Sequence, residues 1–198
     1  MSPAAAAPSH LQPRWQPLTG GTAIWIFMGV EVFTFGMFLL GHSWGWRSEP
    51  MVYAESQALL HPASGVRGTF LLLLGSGLAY LGVLSHHSGR LRASSGWMAA
   101  AAAVGMGFCV NKVLEYGDPA LAAINLSTNS FWFVYLFLTG IHLLHVAGGV
   151  VVLAWLSWRA RHADGPASDL AVEAGAAYWH LVDLIWVLLF PIIYLMHP

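Results

Sequence analysis

Five stretches of this chain, near residues 22–44, 67–88, 96–117, 131–157 and 176–196, are continuously apolar over about the length needed to span a membrane as a helix. Roughly 20 such residues cross about 30 Å of hydrocarbon. The runs are unbroken, whereas barrel strands would alternate over about ten residues, so helices are predicted. Only short connectors remain, which leaves no room for a soluble catalytic domain. The composition agrees: of 198 residues, 57 % are hydrophobic and 9 % charged, where soluble domains carry near a quarter charged residues. The expected fold is therefore all-α, a polytopic bundle of five transmembrane helices forming one domain over 22–198.

Residues 1–21 read as a short cytoplasmic tail. They hold no apolar core of a signal peptide, and Pro8, Pro13 and Pro17 interrupt any helix there. Arg14, Arg90, Arg92, Arg159 and Arg161 fall on one side of the predicted bundle and Arg47 and Arg67 on the other. The positive-inside rule then puts the N-terminus inside and, after five crossings, the C-terminus outside. Trp44, Trp46, Trp132 and Tyr194 are expected at the outer interface, and Trp25, Trp97, Trp155, Trp158, Tyr178 and Trp179 toward the inner one. A formal net charge of −1 with no basic run excludes nucleic acid as a partner. The single cysteine, Cys109, excludes an internal disulfide and a thiolate metal cluster. Small residues are expected where helices meet: Gly29 and Gly36, Gly75, Gly77 and Gly82, Ala99–Ala103 with Gly105 and Gly107, and Gly148-Gly149.

Charge inside a membrane costs about 2.5–3.5 kcal/mol on insertion scales, so ionisable groups within the spans need partners and point to function. The candidates are Glu31, Lys112, Glu115, His142, His145, His180 and Asp183. Six stand as i, i+3 pairs, which share a helix face. At about 1.5 Å per residue from the inner ends, Asp183 lies near about 10 Å, Glu31 about 14 Å and His145 about 20 Å, so these three are expected to meet in one buried polar network that His142 and His180 extend. Lys112 and Glu115 fall nearer the outer face, where a self-neutralising pair can snorkel. The pair in TGIHLLHVAGG admits three readings: metal or haem ligands, satisfied interhelical hydrogen bonds, or a protonatable site. A zinc motif such as H-E-x-x-H is absent, and too few ligands accompany the histidines for a cofactor, so neither a metal nor a catalytic residue is assigned. Gly75-Ser76-Gly77 lacks the full pattern of a serine-hydrolase elbow. An independent proton-coupled transporter remains the alternative function, although no inverted repeat is visible.

The segment FWFVYLFLTGIHLLHVAGGVVVL carries Thr139-Gly140, then His142, His145 and Val146; GAAYWHLVDLIWVLLFPIIYL follows with Tyr178, Trp179, His180, Val182, Asp183 and Trp186. In these motifs, taken in order, the C-terminal half resembles subunit III of the haem-copper oxidases. WIFMGVEVFTFGMF is similar to the helix bearing the family's buried carboxylate, carried here by Glu31, and NKVLEYG to its Lys-x-x-Glu-Tyr turn at Lys112, Glu115 and Tyr116. The wording His142-Leu-Leu-His145 after TNSFWFVYLFLTG is closer to the branch associated with nitric oxide reductase.

The resemblance covers roughly 22 to 196 and implies the five-helix form of the family. It implies an accessory subunit of an oxidoreductase complex, without a redox centre of its own. Haem with copper or iron would then belong to a catalytic partner, an oxidase using cytochrome c or quinol, or a nitric oxide reductase. The same resemblance implies a bacterial-type cytoplasmic membrane, membrane lipids as neighbours with bound phospholipid among them, and a role in assembly, stability and proton supply.

Overall fold

The computed structural model describes residues 21–162 and 167–196. The tail expected over 1–21, with Arg14, lies outside the described residues except for Gly21, as do His197 and Pro198. Five long helices form: α1 (Thr22–Ser48), then, after the short α2 (Pro50–Gln57), α3 (Pro62–His87), α4 (Leu91–Tyr116), α5 (Ser130–Arg159) and α6 (Asp169–Phe190), which runs on through a π-helical turn, Pro191–Leu195. All five spans are long and apolar enough to cross a membrane. Each expected span is present; α3 begins five residues before the apolar run because Pro62, with its preset φ, suits the first helical position.

Local chemistry sets the boundaries. Asn129 accepts a hydrogen bond from the Trp132 amide at 2.9 Å and caps α5; Ser168 does the same for the Ala171 amide and caps α6. Between α3 and α4 the chain reverses within three residues. Gly89 adopts a φ of 71°, its amide bonds the His86 carbonyl, and the Arg90 amide reaches back to that of Ser85. This double closure is a Schellman motif, and the positive φ is why glycine stands there.

The core lies among α3, α4, α5 and α6. Trp179 of α6, 1 % exposed, is enclosed by glycines from three helices: Gly75 of α3, Gly105 of α4 and Gly149 of α5 all approach its ring. Gly82 opens space for Met98 in the same way. The small residues thus act where expected on α3–α5, but Gly29, Gly36 and Gly77 face open space. For α1 the reason is its place: it lies at the edge, on α5 and α6, with only Phe35 and His42 buried. Three aromatic residues expected at the interfaces, Trp132, Tyr194 and Trp179, are buried instead, because their faces turn inward onto neighbouring helices. At the end of the bundle opposite the α3–α4 turn, α2 packs Tyr53 against His42 and Phe131. Burial pushes the Tyr53 phenol above its ordinary pKa, and the Glu49 charge adds to the rise.

Because a methyl group on Gly149 would come within 2.7 Å of the Trp179 ring while one on Gly77 meets nothing, Gly149→Ala is expected to destabilise the bundle by about 1–3 kcal/mol. Gly77→Ala should change stability little. Unfolding of the two variants in mixed micelles, followed by circular dichroism, checks the contrast.

Candidate functional site

Six of the seven expected ionisable residues come together in three groups, where the sequence suggested one network of five and a separate outer pair. The most deeply buried is centred on Lys112 and Glu115 of α4, whose Nζ and Oε1 atoms are 3.2 Å apart. Their whole-residue exposures are 1 % and 6 %, so the pair does not snorkel as the sequence suggested. It is held in the core because α5 and α6 supply phenols: the Tyr135 hydroxyl donates to Glu115 Oε1 at 2.7 Å, the Tyr194 hydroxyl donates to the same oxygen, and Lys112 Nζ donates to both phenols. Ser64 of α3 donates to Glu115 Oε2 at 2.6 Å. Lys112 Nζ also lies 5.3 Å from the centre of the Trp186 ring, within reach of a cation–π attraction. Charges with four hydroxyl or aromatic partners offset the desolvation that an isolated buried pair would suffer.

This cluster joins all four core helices. A pocket of about 480 Å³, whose wall includes His61, Ser64, Arg67, Asn111, Glu115 and Asp118, abuts it from the end opposite the α3–α4 turn. Asn111 donates to the Ser64 carbonyl at 3.0 Å and accepts from Arg67 Nε, tying α3 to α4 beside the carboxylate. Tyr116, one residue beyond Glu115, donates to Thr139 of α5 at 2.7 Å.

The second group is Glu31 of α1 with His145 of α5, 3.4 Å apart between Oε2 and Nε2. His145 Nδ1 lies 2.9 Å from the Ile141 carbonyl, which can only accept, so Nδ1 carries a proton. Both residues border a groove of about 230 Å³ between α1 and α5, with Thr34, Phe35, Phe38 and Phe137 among its other walls.

The third group lies across the bundle. Ser76 of α3 is hydrogen-bonded to His180 Nδ1 of α6 at 2.5 Å, and Asp183 stands beside both. Among the described residues no ion pair or hydrogen bond joins Asp183 to Glu31 or His145; Asp183 and His180 turn toward α3, while Glu31 reaches α5 from the edge. Ser76 was legible as part of Gly75-Ser76-Gly77 but not as a partner of His180, since 104 residues separate the two. Similarly, nothing local linked Lys112 to Tyr194.

His142 joins none of these groups. It is fully buried, and neither ring nitrogen has a hydrogen-bond partner among the described residues. The ring packs as an aromatic: stacked on Trp186 at 5.1 Å, edge-on to Phe108 at 5.6 Å and to Phe35 at 6.4 Å. Of the i, i+3 histidines only His145 therefore makes a polar contact between helices. Among the described residues no three His, Cys, Asp or Glu side chains converge as metal ligands would. Two further histidines that the sequence reading passed over fasten α3 to α6: His86 Nε2 is 3.0 Å from Asp169 and His87 Nε2 3.5 Å from Glu173.

Comparison with known proteins gives one consistent result. Residues 66–197 match the family described as cytochrome c oxidase subunit III. The chain is similar to the cytochrome c oxidase subunit 3 of Synechocystis sp., 35 % identical over 50 % of this chain and 42 % of that protein. It is similar over more of its length to the probable cytochrome c oxidase subunit 3 of Mycobacterium leprae, at 26 % identity over 93 % of this chain and 91 % of the relative. The quinol oxidase subunit 3 of Bacillus spizizenii is 25 % identical over 95 % and 94 %.

Removing Lys112 alone leaves Glu115 buried without its cation, and Lys112→Met is expected to cost about 3–5 kcal/mol in unfolding experiments. Separately, a double-mutant cycle between Glu31→Ala and His145→Ala should give a coupling of about 0.6–1.7 kcal/mol. The corresponding cycle between Glu31→Ala and Asp183→Ala should be additive, because the two share no partner. A coupled Glu31–Asp183 cycle would restore the single network.

Proposed function

Since the chain belongs to the cytochrome c oxidase subunit III family, we propose that it is a non-catalytic accessory subunit of a haem-copper oxidase, seated in a bacterial-type cytoplasmic membrane beside the catalytic subunit. The haems and copper belong to that partner. The observation that carries this reading is the use to which the buried ionisable groups are put: Lys112, Glu115 and their phenols join four helices to one another. Such an arrangement makes a rigid body suited to supporting a neighbour. Edge helix α1 supports it too, since Ile26, Val30, Phe33 and Leu40 are exposed along its length and offer a broad apolar face.

In this reading the Glu31–His145 pair, with its position near the surface of the bundle, contributes to proton supply, while the Lys112–Glu115 cluster serves assembly and stability. The relatives are named as cytochrome c and quinol oxidases, which favours oxygen over nitric oxide as the partner's substrate.

Purification of the tagged chain from native membranes in mild detergent tests the reading. A haem-bearing large subunit is expected at one copy per chain, with oxygen consumption by the complex. Glu31→Ala is expected to lower retention of this chain in the complex while leaving the haem spectrum of the partner unchanged. Nitric oxide turnover by the purified complex in place of oxygen would move the partner to the reductase branch. A colourless chain that is stable alone and moves a solute in proteoliposomes would replace the accessory role with transport.

A further inference from the structure

Two buried phenols share one base. Tyr135 of α5 and Tyr194, in the π-helical turn after α6, both donate to Glu115 Oε1, the first at 2.7 Å, and their own oxygens are 3.3 Å apart. The other four of the six tyrosines have different surroundings: Tyr116 donates to the Thr139 hydroxyl and Tyr178 to the His145 carbonyl, Tyr53 is bonded with Ser130, and Tyr80 is exposed on α3. Among the described residues, then, Tyr135 and Tyr194 are the tyrosines hydrogen-bonded to a carboxylate. One-electron oxidation of a phenol needs that pairing. A phenol stripped of an electron is a strong acid, and the cation it would form is costly to hold in an apolar core. A base within hydrogen-bond reach, about 2.6–3.2 Å, lets the proton leave with the electron, so that a neutral phenoxyl radical remains.

The surrounding rings connect this pair to the end of the bundle. The centre of the Tyr194 ring is 6.3 Å from that of Trp186 and 6.1 Å from that of Tyr135; beyond Tyr135 lie Trp132 at 5.3 Å and Tyr116 at 6.4 Å. Tyr116 is half-buried and ends α4. Oxidisable rings in such near contact pass an electron outward one short step at a time. Lys112 decides where the oxidising equivalent rests. Its Nζ lies 5.3 Å from the centre of the Trp186 ring, so a cation radical on that indole would face a like charge in a dry core, where repulsion is strong. The same ammonium donates to both phenol oxygens, and a phenoxyl radical that has given up its proton is neutral and keeps that bond. The phenols are therefore favoured over the indole.

We propose that Tyr135 and Tyr194 form a redox-active pair that holds one oxidising equivalent as a neutral phenoxyl radical, with Glu115 as its proton acceptor. The oxidant is a high-potential one-electron metal complex outside this chain. It gains one electron from a phenol; the phenolic O–H bond breaks, the proton bonds to Glu115 Oε1, and the carboxylic acid so formed donates back to the phenoxyl oxygen. The cluster gains one positive charge, that of Lys112 left without its carboxylate, so a strong oxidant is required. One electron returned by a donor reverses both transfers.

The test uses the full chain in detergent, carrying Tyr80→Phe to remove the exposed phenol. It is mixed with tris(bipyridine)ruthenium(II) and a cobalt(III) quencher, flashed to generate the ruthenium(III) oxidant, and frozen for electron paramagnetic resonance. A tyrosyl signal is expected. A ring-fluorinated tyrosine in place of Tyr135 or of Tyr194 keeps the hydroxyl, and at one or both positions it should add a fluorine splitting; in place of Tyr178 it should add none. In E115Q the phenoxyl absorption should rise about a hundredfold more slowly, the effect of losing a positioned proton acceptor. The proposal is overturned if no tyrosyl radical forms, if fluorine at neither 135 nor 194 splits the signal, or if folded E115Q forms the radical at the parent rate. Should circular dichroism show E115Q unfolded, the fluorine splitting decides alone. No haem partner enters the assay, so its failure is separate from that of the accessory role.

Discussion

The packing of Trp179 against glycines of three other helices sets the separation of everything else in the core. Inside a bilayer there is no hydrophobic gain from bringing helices together, so close van der Waals contact and interhelical hydrogen bonds must supply the association. A large flat indole that meets Gly75, Gly105 and Gly149 gives such contact on three sides at once. Once α6 is seated by that ring, the rest of its inward face follows by helical geometry. Asp183 lies one turn on and Trp186 two turns on, and Tyr194 follows at the level of Lys112.

The polar chemistry is arranged around this frame. Lys112 and Glu115 are placed where Tyr135, Tyr194 and Ser64 converge, and the indole of Trp186 closes one side of the ammonium while its Nε1 donates to Thr69 at 3.0 Å. Buried charge is tolerable here because both carboxylate oxygens and the ammonium find partners; the same residues on a lipid-facing side of α4 would have to reach for water. The Glu31–His145 pair differs in kind. It joins the edge helix α1 to the core and borders a groove. His142, one turn away on α5, makes no polar contact among the described residues and serves as an aromatic wedge between Phe35, Phe108 and Trp186.

The two ends of the bundle are also unlike. One carries the short turn between α3 and α4, the hydrogen-bonded pair Ser95 and Ser157 and four arginines; the other carries α2, a longer connection and mixed charges around His61, Arg67 and Asp118. A family that works beside a membrane-bound catalytic subunit needs a fixed orientation, and a concentration of arginine at one end supplies a physical basis for it.

From its sequence alone the chain is an all-helical membrane protein with five spans, and the family motifs and the Lys112–Glu115 pair are visible. These are one-dimensional properties, written in the length of apolar runs and in i, i+3 spacing. Which residues meet across helices was not legible, and the reason is physical. A helix that is apolar on every side gives no periodic signal of which face turns inward, so depth along the membrane could be counted but rotation about each helix axis could not. Depth put Glu31, His145 and Asp183 at comparable levels; rotation separated them, sending Asp183 toward Ser76 and leaving Glu31 with His145. Rotation likewise turned Lys112 from an expected snorkelling cation into the centre of the core, and Trp132, Tyr194 and Trp179 from interface markers into packing. Only the tertiary structure, through the glycine contacts that seat α6, decided those orientations.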